Sequence, residues 1–304
     1  MSKLEIRIGT RKSKLAIWQA KSVANELKKI GYNSSIIKIN SEGDHDLTQP
    51  IYSFGIQGVF TRTLDSALLN NKIDIAVHSL KDVPTSLPKG IVVNSVLKRG
   101  NPMDVVLFND KNKILENGTI GTGSLRRKAQ WLKKFPLDKT QPIRGNINTR
   151  LEKLNSPNLK GVIIAKAAID RLEINNIDFK NLDWMIPAPS QGAIGVASLE
   201  SNDLIIKALA KINCEDTFYC TILEREFLRT LEGGCSAPIG ALAIINKGVV
   251  SFKGGVFSLD GKDSVLCNHK FSQKEEPLFY GNKIAVDLLN RGGNKIINRI
   301  KNQI

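Results

Sequence analysis

The chain has 304 residues, a length that suits two or three domains, each large enough to bury a core. With 41% hydrophobic and 24% charged residues, its composition excludes a disordered chain, a collagen and a disulfide scaffold. Lys and Arg number 44 against 29 Asp and Glu, and this excess of +15 indicates an anionic partner: nucleic acid, an anionic membrane or a carboxylate-rich substrate.

Strands and helices alternate in the first third of the sequence. Apolar residues alternate from Leu4 to Ile8 as in a strand, and then recur at helical spacing until Gly31. A strand at 36–39, a helix at about 60–69 and a strand at 73–77 are predicted next. This alternation predicts an α/β unit with a largely parallel sheet.

A second α/β unit is predicted after a break at Lys98–Pro102, where the sequence reads KRGNP. Its predicted elements are strands MDVVLF and TIGTG, a helix from Ser124, a strand near Ile143, a helix after Asn146 and a strand GVIIA. The run Pro187–Gly192 is rich in Pro and Gly, so it is the second break and the predicted hinge between the two units.

The last third of the sequence has a different character. A strand AIGVAS and helices at 202–212 and 216–231 precede three consecutive strand-like runs, GALAII, VVSFKGGVF and SVLCNHKF, and a further helix. Neighbouring strands followed by a helix predict a small α+β domain with an antiparallel sheet. The predicted domains are an α/β lobe over 1–99 with 193–212, a second α/β lobe over 100–186, a hinge at 187–192 and an α+β domain over 215–304.

The cysteine content and the N-terminal segment bear on metal binding and compartment. Four cysteines without CxxC spacing and only three histidines argue against a Cys/His zinc site, so no metal site is predicted. Charged residues interrupt the N-terminal segment, and no stretch approaches eighteen consecutive apolar residues. These features predict a cytoplasmic protein without a membrane span.

The segment HSLKDVP follows a buried strand, at the edge where open α/β sheets bind ligands. A carboxylate such as Asp82, held beside the cation of Lys81, stays ionised and can stabilise positive charge that develops on a substrate. The alternative is a surface ion pair at a turn. His78 is expected to be a packed histidine rather than a catalyst.

Arginines cluster in two further segments, GTGSLRR and PIRGNINTR. A glycine-containing turn that leads into a helix offers backbone N–H groups to an anion, and the fork of an arginine matches a carboxylate. Arg126, Arg127, Arg144, Arg150 and, after the first strand, Arg11 are therefore predicted to bind anions. The alternative for Arg126 and Arg127 is a helix whose basic side faces solvent.

The segment LEGGCSAPIG places Cys235 on a loop after the long helix, where two glycines allow close approach of another group. A thiol in such a loop is reactive when its neighbours lower its pKa. The other three cysteines, Cys214, Cys220 and Cys267, are expected to be buried and inert.

Five segments follow one another from end to end of the chain: HSLKDVP, GTGSLRR, PIRGN, SQGA and LEGGCSAPIG. Together and in this order, they resemble the porphobilinogen deaminase (hydroxymethylbilane synthase) family. The resemblance implies a monomer with two hinged α/β lobes, like those of periplasmic binding proteins, and a third α+β domain that presents the cysteine. It also implies an enzyme that joins four porphobilinogen molecules head to tail with loss of ammonia and then releases hydroxymethylbilane. A dipyrromethane cofactor, held through a thioether, would prime the reaction.

The resemblance assigns roles to individual residues. It makes Cys235 the attachment site of dipyrromethane and Asp82 the catalytic carboxylate. The implied cofactor contacts are Lys81, Asp82, Ser124, Arg126, Arg127 and Arg144, and the implied substrate contacts are Arg11, Arg144, Arg150 and Gln191. The chemistry agrees with these roles, because loss of ammonia leaves a cationic azafulvene that an ionised carboxylate stabilises and a thiolate attacks.

One segment departs from the family pattern. The lid of the family typically reads Gly-Gly-Lys-Gly, whereas this sequence has Gly55-Ile56-Gln57-Gly58. No substrate contact is therefore assigned to Gln57. The preceding pair, Gly43 and Asp44, fits the pattern.

Two other functional classes are consistent with a basic α/β protein. A nucleic-acid-binding protein would interleave basic residues with stacking aromatics, yet only 6% of the residues are aromatic and the arginine segments contain no interleaved pair. A two-lobed solute-binding or sensor domain would bind small anions. Neither class requires a reactive Cys235.

Overall fold

The computed structural model describes residues 5–40, 61–108, 117–154, 156, 159–175, 177–231 and 237–303. The described residues divide into two compact units, one with those from 5 to 100 and 192–218, the other with those from 101 to 191 and 219–303. The chain therefore passes between the units at 100–101, 191–192 and 218–219. The first two positions lie within the predicted breaks at Lys98–Pro102 and Pro187–Gly192.

Helices and strands follow one another along the described residues. The elements before residue 160 are β1 (Glu5–Arg11), α1 (Lys14–Lys29), β2 (Asn33–Ile39), α2 (Arg62–Leu69), β3 (Ile75–Ser79), β4 (Ile91–Val96), β5 (Asp104–Phe108), β6 (Thr119–Gly121), α3 (Leu125–Lys134), β7 (Lys139–Gln141) and α4 (Ile147–Leu154). The elements after it are β8 (Gly161–Ala165), α5 (Lys166–Arg171), β9 (Phe179–Asn181), β10 (Ile194–Leu199), α6 (Asp203–Ala210), α7 (Glu215–Thr230), β11 (Ile239–Asn246), β12 (Val249–Phe257), β13 (Ser264–Ser272), α8 (Pro277–Leu288) and α9 (Asn294–Lys301). Within these ranges, no helix combines the length and the apolar character that a membrane span requires.

The first unit is built on a five-stranded sheet with the order β2-β1-β3-β10-β4. Its core contains Ile6 and Ile8 of β1, packed with Val23 and Leu27 of α1. β1 pairs in parallel with β2 and β3, whereas β10 is antiparallel to both β3 and β4. The predicted largely parallel sheet is therefore mixed, because a strand that is buried on both faces reads as the same apolar run in either direction.

The second unit contains a mixed sheet of its own, with the order β7-β6-β8-β5-β9. Val105 and Leu107 of β5 pack with Val162 and Ile164 of β8 in the core. The strand predicted near Ile143 instead ends at residue 141, and Ile143 packs into the same core as part of the following segment.

The C-terminal part of the second unit has a three-stranded antiparallel sheet, β11-β12-β13, covered by α7, α8 and α9. Phe227 of α7 meets Phe252 of β12 edge to face, with ring centroids 5.1 Å apart. Gly254 permits this contact, because a Cβ there would lie 2.8 Å from Phe227 Cζ. The fold class is thus confirmed: two α/β sheets with helices, and a small C-terminal antiparallel sheet with helices.

Candidate active site

A short turn after β3 carries the predicted catalytic carboxylate. The three residues after β3 form one turn of 3-10 helix that ends at Asp82. Leu80 and Val83, on either side of Lys81 and Asp82, are buried in one apolar cluster. Gly195 makes room for this anchor, because a Cβ there would lie 2.8 Å from Leu80 Cδ1. The turn is thus fixed on both sides, while Lys81 and Asp82 stay half-buried.

Arg11 lies at the same edge of the sheet as this turn. Because β1 and β3 are parallel neighbours, the end of β1 at Arg11 and the end of β3 at Ser79 lie at one edge. Gln19 of α1 ties down this edge by donating a hydrogen bond from Nε2 to Ser79 Oγ over 2.8 Å. The first unit therefore brings Arg11, Lys81 and Asp82 to a single edge, where α/β sheets bind ligands.

His78 is the buried neighbour of this edge. Its side chain lies in β3, and burial, together with the positive charge of Arg11, lowers the pKa of His78 from 6.5 to about 4. The imidazole is therefore neutral near pH 7. The prediction of a packed histidine is confirmed, because the side chain of His78 is buried.

The shifted pKa of His78 makes the stability of the fold depend on pH. Between pH 6.5 and about 4 the unfolded chain binds a proton at His78 that the folded chain does not, so stability falls as the pH falls through this window. From pH 7 to pH 5 the loss is expected to be about 2 kcal/mol. Urea denaturation of the wild type and of His78→Gln at both pH values measures it, and an equal loss in the two proteins would contradict the assignment.

In the second unit, Ser124 caps the N-terminus of α3. Its Oγ accepts a hydrogen bond from the backbone N–H of Arg127 at 3.4 Å. Gly123 allows the loop before α3 to pack closely, because a Cβ would lie 2.6 Å from the carbonyl oxygen of Ile143. The start of α3 therefore lies against the segment that leads into Arg144.

Arg126 and Arg127 are both buried and share one carboxylate, that of Asp104 at the start of β5. Arg126 Nη1 donates to Asp104 Oδ2 at 2.7 Å, and Arg127 Nε donates to Asp104 Oδ1 at 2.9 Å. Asp104 is completely buried. The alternative for Arg126 and Arg127, a place on a basic helix side that faces solvent, is therefore wrong. The arginine-pair cluster, defined as Asp104, Arg126 and Arg127, lies in the interior of the unit.

The charges of the arginine-pair cluster do not cancel. Burial would raise the pKa of Asp104, but the charges of Arg126 and Arg127 outweigh it and hold that pKa well below the usual value of 3.8. Arginine stays protonated in proteins, so two cations and one anion leave a net charge of +1. Arg126 Nε is buried without a hydrogen-bond partner among the described residues. A cluster with this excess charge and unused donor suits an anionic ligand group.

Gln191, a predicted substrate contact, is completely buried beside this cluster. Its Nε2 donates to Asp104 Oδ1 at 2.9 Å and to the carbonyl oxygen of Pro102 at 2.7 Å. The adjacent Ser190 has a φ of 63°, and its backbone N–H donates to Glu224 Oε2 at 2.6 Å. The SQG turn is therefore held from both sides, by β5 and by α7.

Arg144 and Gly145 lie in the segment between β7 and α4, and Arg150 lies in α4 itself. Arg144 is 8% exposed, and Arg150 Nε donates to the carbonyl oxygen of Gly145 at 3.0 Å. Gly145 has a φ of 109°, a conformation that favours glycine. The hydrogen bond from Arg150 thus ties α4 to the turn that follows Arg144, next to the loop before α3.

Cysteines 220 and 267 are buried as expected, and burial raises the pKa of Cys267 to about 11, so this thiol is unreactive at neutral pH. Cys214 is half-buried rather than buried, because it lies at the start of α7, where its Sγ accepts a hydrogen bond from Thr217 Oγ1 at 3.3 Å. Cys235, Asp44 with Gly43, and the lid at 55–58 lie outside the described residues.

Asp104 is the site residue that sequence reasoning missed. The sequence offers only an acidic residue at the start of an apolar run, MDVVLF, and no spacing links it to the arginines, which follow 22 and 23 positions later. The pairing becomes visible only when β5 and α3 are packed together.

Solved structures show a distant likeness. The methionine binding protein MetQ matches with a TM-score of 0.44 and 11% identity, over 68% of this chain and 89% of that chain. An ancestral cationic amino acid solute binding protein, AncCDT-1, matches with a TM-score of 0.43 and 14% identity, over 68% and 86%.

Curated relatives match along most of the chain. The porphobilinogen deaminase of Listeria monocytogenes serotype 4a (strain HCC23) is 38% identical over 99% of this chain and 99% of the relative. The porphobilinogen deaminase of Carboxydothermus hydrogenoformans is 39% identical over 98% of each. The probable porphobilinogen deaminase of Thermoplasma acidophilum is 40% identical over 86% of this chain and 90% of its own length.

Two family profiles match in sequence order. The profile described as "Porphobilinogen deaminase, dipyromethane cofactor binding domain" matches residues 6–207, and "Porphobilinogen deaminase, C-terminal domain" matches residues 218–290. The first range contains the edge with Arg11 and Asp82 as well as the arginine-pair cluster. The cofactor-binding profile thus covers both the buried arginines and the cations at the sheet edge. With these two profiles and the curated relatives, the chain belongs to the porphobilinogen deaminase family.

Proposed function

We propose that the chain acts as a hydroxymethylbilane synthase, a transferase of tetrapyrrole biosynthesis. It condenses four porphobilinogen molecules head to tail, with loss of one ammonia at each condensation, and then releases the linear product by hydrolysis. The observation that carries the proposal is the arginine-pair cluster, whose charge of +1 is built into the interior of the cofactor-binding range. Each pyrrole of such a chain brings two carboxylates, so the ligand is a polyanion.

The residues present fit a dipyrromethane cofactor. Arg126 has a buried Nε donor with no partner among the described residues, and the cluster lacks one negative charge, which a ligand carboxylate supplies. When bound, dipyrromethane supplies the pyrrole end to which substrate is joined. Cys235 would hold it through a thioether, and the proposed contacts to it are Lys81, Asp82, Ser124, Arg126, Arg127 and Arg144.

Asp82 is proposed as the catalytic carboxylate. The 3-10 turn holds it half-buried at the sheet edge, between the buried anchors Leu80 and Val83. A carboxylate fixed in this way stabilises the positive charge that develops on the substrate pyrrole as ammonia leaves, because it is already oriented before the charge appears. Arg11, Arg144 and Arg150 are proposed to bind substrate carboxylates, whose planar geometry matches the guanidinium fork. Gln191, the fourth predicted substrate contact, is completely buried with its amide nitrogen hydrogen-bonded to Asp104 and Pro102, so no direct contact with substrate is proposed for it.

Product formation tests the proposed function. The purified protein, incubated with porphobilinogen, is expected to release one ammonia for each porphobilinogen consumed and to form hydroxymethylbilane. Lys295→Ala, a change at an exposed residue of α9, is the control and is expected to keep this activity. A wild-type protein that leaves porphobilinogen unchanged would refute the proposal.

The finer organisation of the protein is part of the same proposal. The protein is proposed to be a cytoplasmic monomer of three domains, with the lobes and hinge at the boundaries given above and the third domain over 215–304. It is proposed to bind neither nucleic acid nor membranes, since its charge excess serves a small polyanionic substrate. Sedimentation velocity tests the monomer, and binding to duplex DNA measured at several salt concentrations tests the nucleic-acid statement.

A further inference from the structure

We propose that Asp104 is a positioning residue, which holds the guanidinium groups of Arg126 and Arg127 together as one carboxylate-binding unit, and that Gln191 braces it. The inference rests on the proposed function and deepens it. It adds Asp104, a residue that does not bind the ligand itself. Asp104 sets the direction of the two arginines that do, and its negative charge sets the net charge of the cluster.

The geometry around Asp104 uses both of its carboxylate oxygens. Oδ2 accepts from Arg126 Nη1 at 2.7 Å, while Oδ1 accepts from Arg127 Nε and from Gln191 Nε2, both at 2.9 Å. Arg127 Nη2 lies 2.8 Å from the same Oδ1. Each oxygen of the single carboxylate is therefore engaged by a different guanidinium.

This arrangement opposes the natural direction of the two side chains. Arg126 and Arg127 are consecutive residues of α3, so their side chains leave the helix about 100° apart. Two buried cations also repel each other, and an anion between them offsets this repulsion by attracting both. Asp104 supplies that anion and draws both guanidinium groups to one point.

Backbone carbonyl oxygens fix the rest of the pair. Arg126 Nη1 also donates to Ile186 O at 2.8 Å, and Arg127 Nη1 donates to Ile163 O at 2.9 Å. Ile186 is itself held by Gln130, which exchanges two hydrogen bonds with its backbone. The guanidinium groups are thus fixed before any ligand arrives, which lowers the cost of binding.

Gln191 acts mainly through Asp104 in this arrangement, since its direct contact with Arg127, from Nη2 to Gln191 Oε1, is long at 3.5 Å. Its amide donors go to Asp104 Oδ1 and to Pro102 O, and its side chain is completely buried. Glu224 holds the turn that carries it, because it accepts from the backbone N–H of Ser190 and also from that of Ala243 at 2.7 Å. Gln191 therefore restrains Asp104 without adding charge to the cluster.

The net charge of the cluster gives the arrangement a preference for one anionic group. With Asp104 present, the three charges sum to +1 and one ligand carboxylate neutralises them. Without it, two buried cations remain unbalanced, and their repulsion acts against the hold of the carbonyl oxygens of Ile186 and Ile163. The positioning role therefore predicts that the loss of Asp104 weakens ligand binding, whereas the loss of another buried carboxylate lowers only the stability of the fold.

Three variants of buried carboxylates test this role. Asp104→Asn removes the charge with little change of shape, and Asp104→Glu restores the charge one methylene further out. Asp138→Asn is the matched control, because Asp138 is a buried carboxylate of the same unit that instead accepts from Trp131 Nε1 and from the backbone N–H of Gly118. The readouts are intact mass after incubation with porphobilinogen, KM and kcat per folded molecule, and Tm.

Asp104→Asn is expected to lose most of its cofactor mass and about 100-fold in kcat/KM, mainly through KM, since the arginines are misplaced. Asp104→Glu is expected to recover part of both. Asp138→Asn is expected to have a lower Tm but wild-type cofactor mass and KM. Equal cofactor mass and KM in Asp104→Asn and Asp138→Asn would overturn the proposal and leave Asp104 a purely structural residue.

A second variant keeps the proposal testable if Asp104→Asn does not fold. Gln191→Met keeps all three charges and removes the brace on Asp104, together with the long hydrogen bond that Arg127 Nη2 donates to Gln191 Oε1 at 3.5 Å. It is expected to fold, to raise KM and to lower cofactor mass. Wild-type values in Gln191→Met would then overturn the proposal. A wild-type protein that neither consumes porphobilinogen nor gains mass would reject the proposed function and this inference with it, whereas an active wild type with an unaffected Asp104→Asn rejects the positioning role alone.

Discussion

Asp82→Asn is expected to fold like the wild type and to lose about 100- to 1,000-fold in kcat, the size of effect seen when a preorganised electrostatic stabiliser is removed. The change keeps the shape of the side chain but replaces a negative charge with a dipole. Because Leu80 and Val83 anchor the turn, the asparagine is expected to occupy the same place. The loss therefore reports the charge of Asp82 rather than a displaced turn.

Single-turnover and steady-state assays with porphobilinogen measure this effect, with circular dichroism as the check on folding. Asp203→Asn, at an exposed position in the first turn of α6 in the same unit, is the matched control and is expected to keep wild-type kcat. Turnover by Asp82→Asn within a few-fold of the wild type would show that the catalytic role is assigned to the wrong carboxylate.

Arg126→Leu is expected to weaken binding of the pyrrole carboxylates by about 100-fold. A loss of this size corresponds to the free energy of one hydrogen bond to a charged group. The variant keeps the pair between Arg127 and Asp104, so no buried anion is left unbalanced. The charge of the cluster falls from +1 to zero, and with it the attraction for a ligand carboxylate. The fold should therefore survive a change that removes the binding function.

Arg299→Leu is the matched control for this variant. Arg299 lies in the same unit and pairs with Asp263 at 2.6 Å, but both side chains are more than half exposed, and such surface pairs contribute little. Intact mass and KM should be normal in Arg299→Leu and impaired in Arg126→Leu. Equal effects of the two substitutions would contradict the anion-binding role of the buried arginine.

Local patterns predicted the elements best where turn chemistry and periodicity agree. The three runs predicted in the C-terminal third correspond to β11, β12 and β13. Lys247 and Gly248, with φ of 50° and 76°, form the two-residue turn between the first two strands, as expected for a tight hairpin. The helix α9 was not predicted, because it is only eight residues long and its three isoleucines, Ile296, Ile297 and Ile300, are its only apolar residues.

Strand direction was beyond the reach of such patterns. β10 is buried along almost its whole length and runs antiparallel to β3 and β4, yet its sequence IGVASL would suit either direction. The predicted alternation of strands and helices is confirmed. The predicted largely parallel sheet is only partly confirmed, because β1 pairs in parallel with its neighbours while β10 pairs antiparallel. The pairing of β10 depends on where the chain re-enters the first unit after residue 191. A short stretch of sequence carries no information about that position.

In the candidate site, too, local sequence patterns were informative about residue types and uninformative about contacts between distant segments. Residue types at strand ends and at the start of α3 made Arg11, Asp82 and Arg126 candidates, while the family resemblance assigned Asp82 its catalytic role; these roles stay predictions. Their environment was not predictable, because Asp104 meets the arginines only across the packed sheet, and Gln191 reaches it from 87 positions away. Charge counted along the sequence indicated an anionic ligand, while burial shows that one carboxylate already balances part of that charge.

Intact mass spectrometry of the protein purified from a host that makes porphobilinogen is the most direct test of the cofactor-primed mechanism. The wild type is expected to exceed the mass of its sequence by two pyrrole units, and this excess should be absent from Cys235→Ser, which lacks the thiolate that forms the thioether. Cys220→Ser, a change at a buried thiol, is the control and should keep the excess. A wild-type mass equal to the bare sequence, or an excess that persists in Cys235→Ser, would contradict the account.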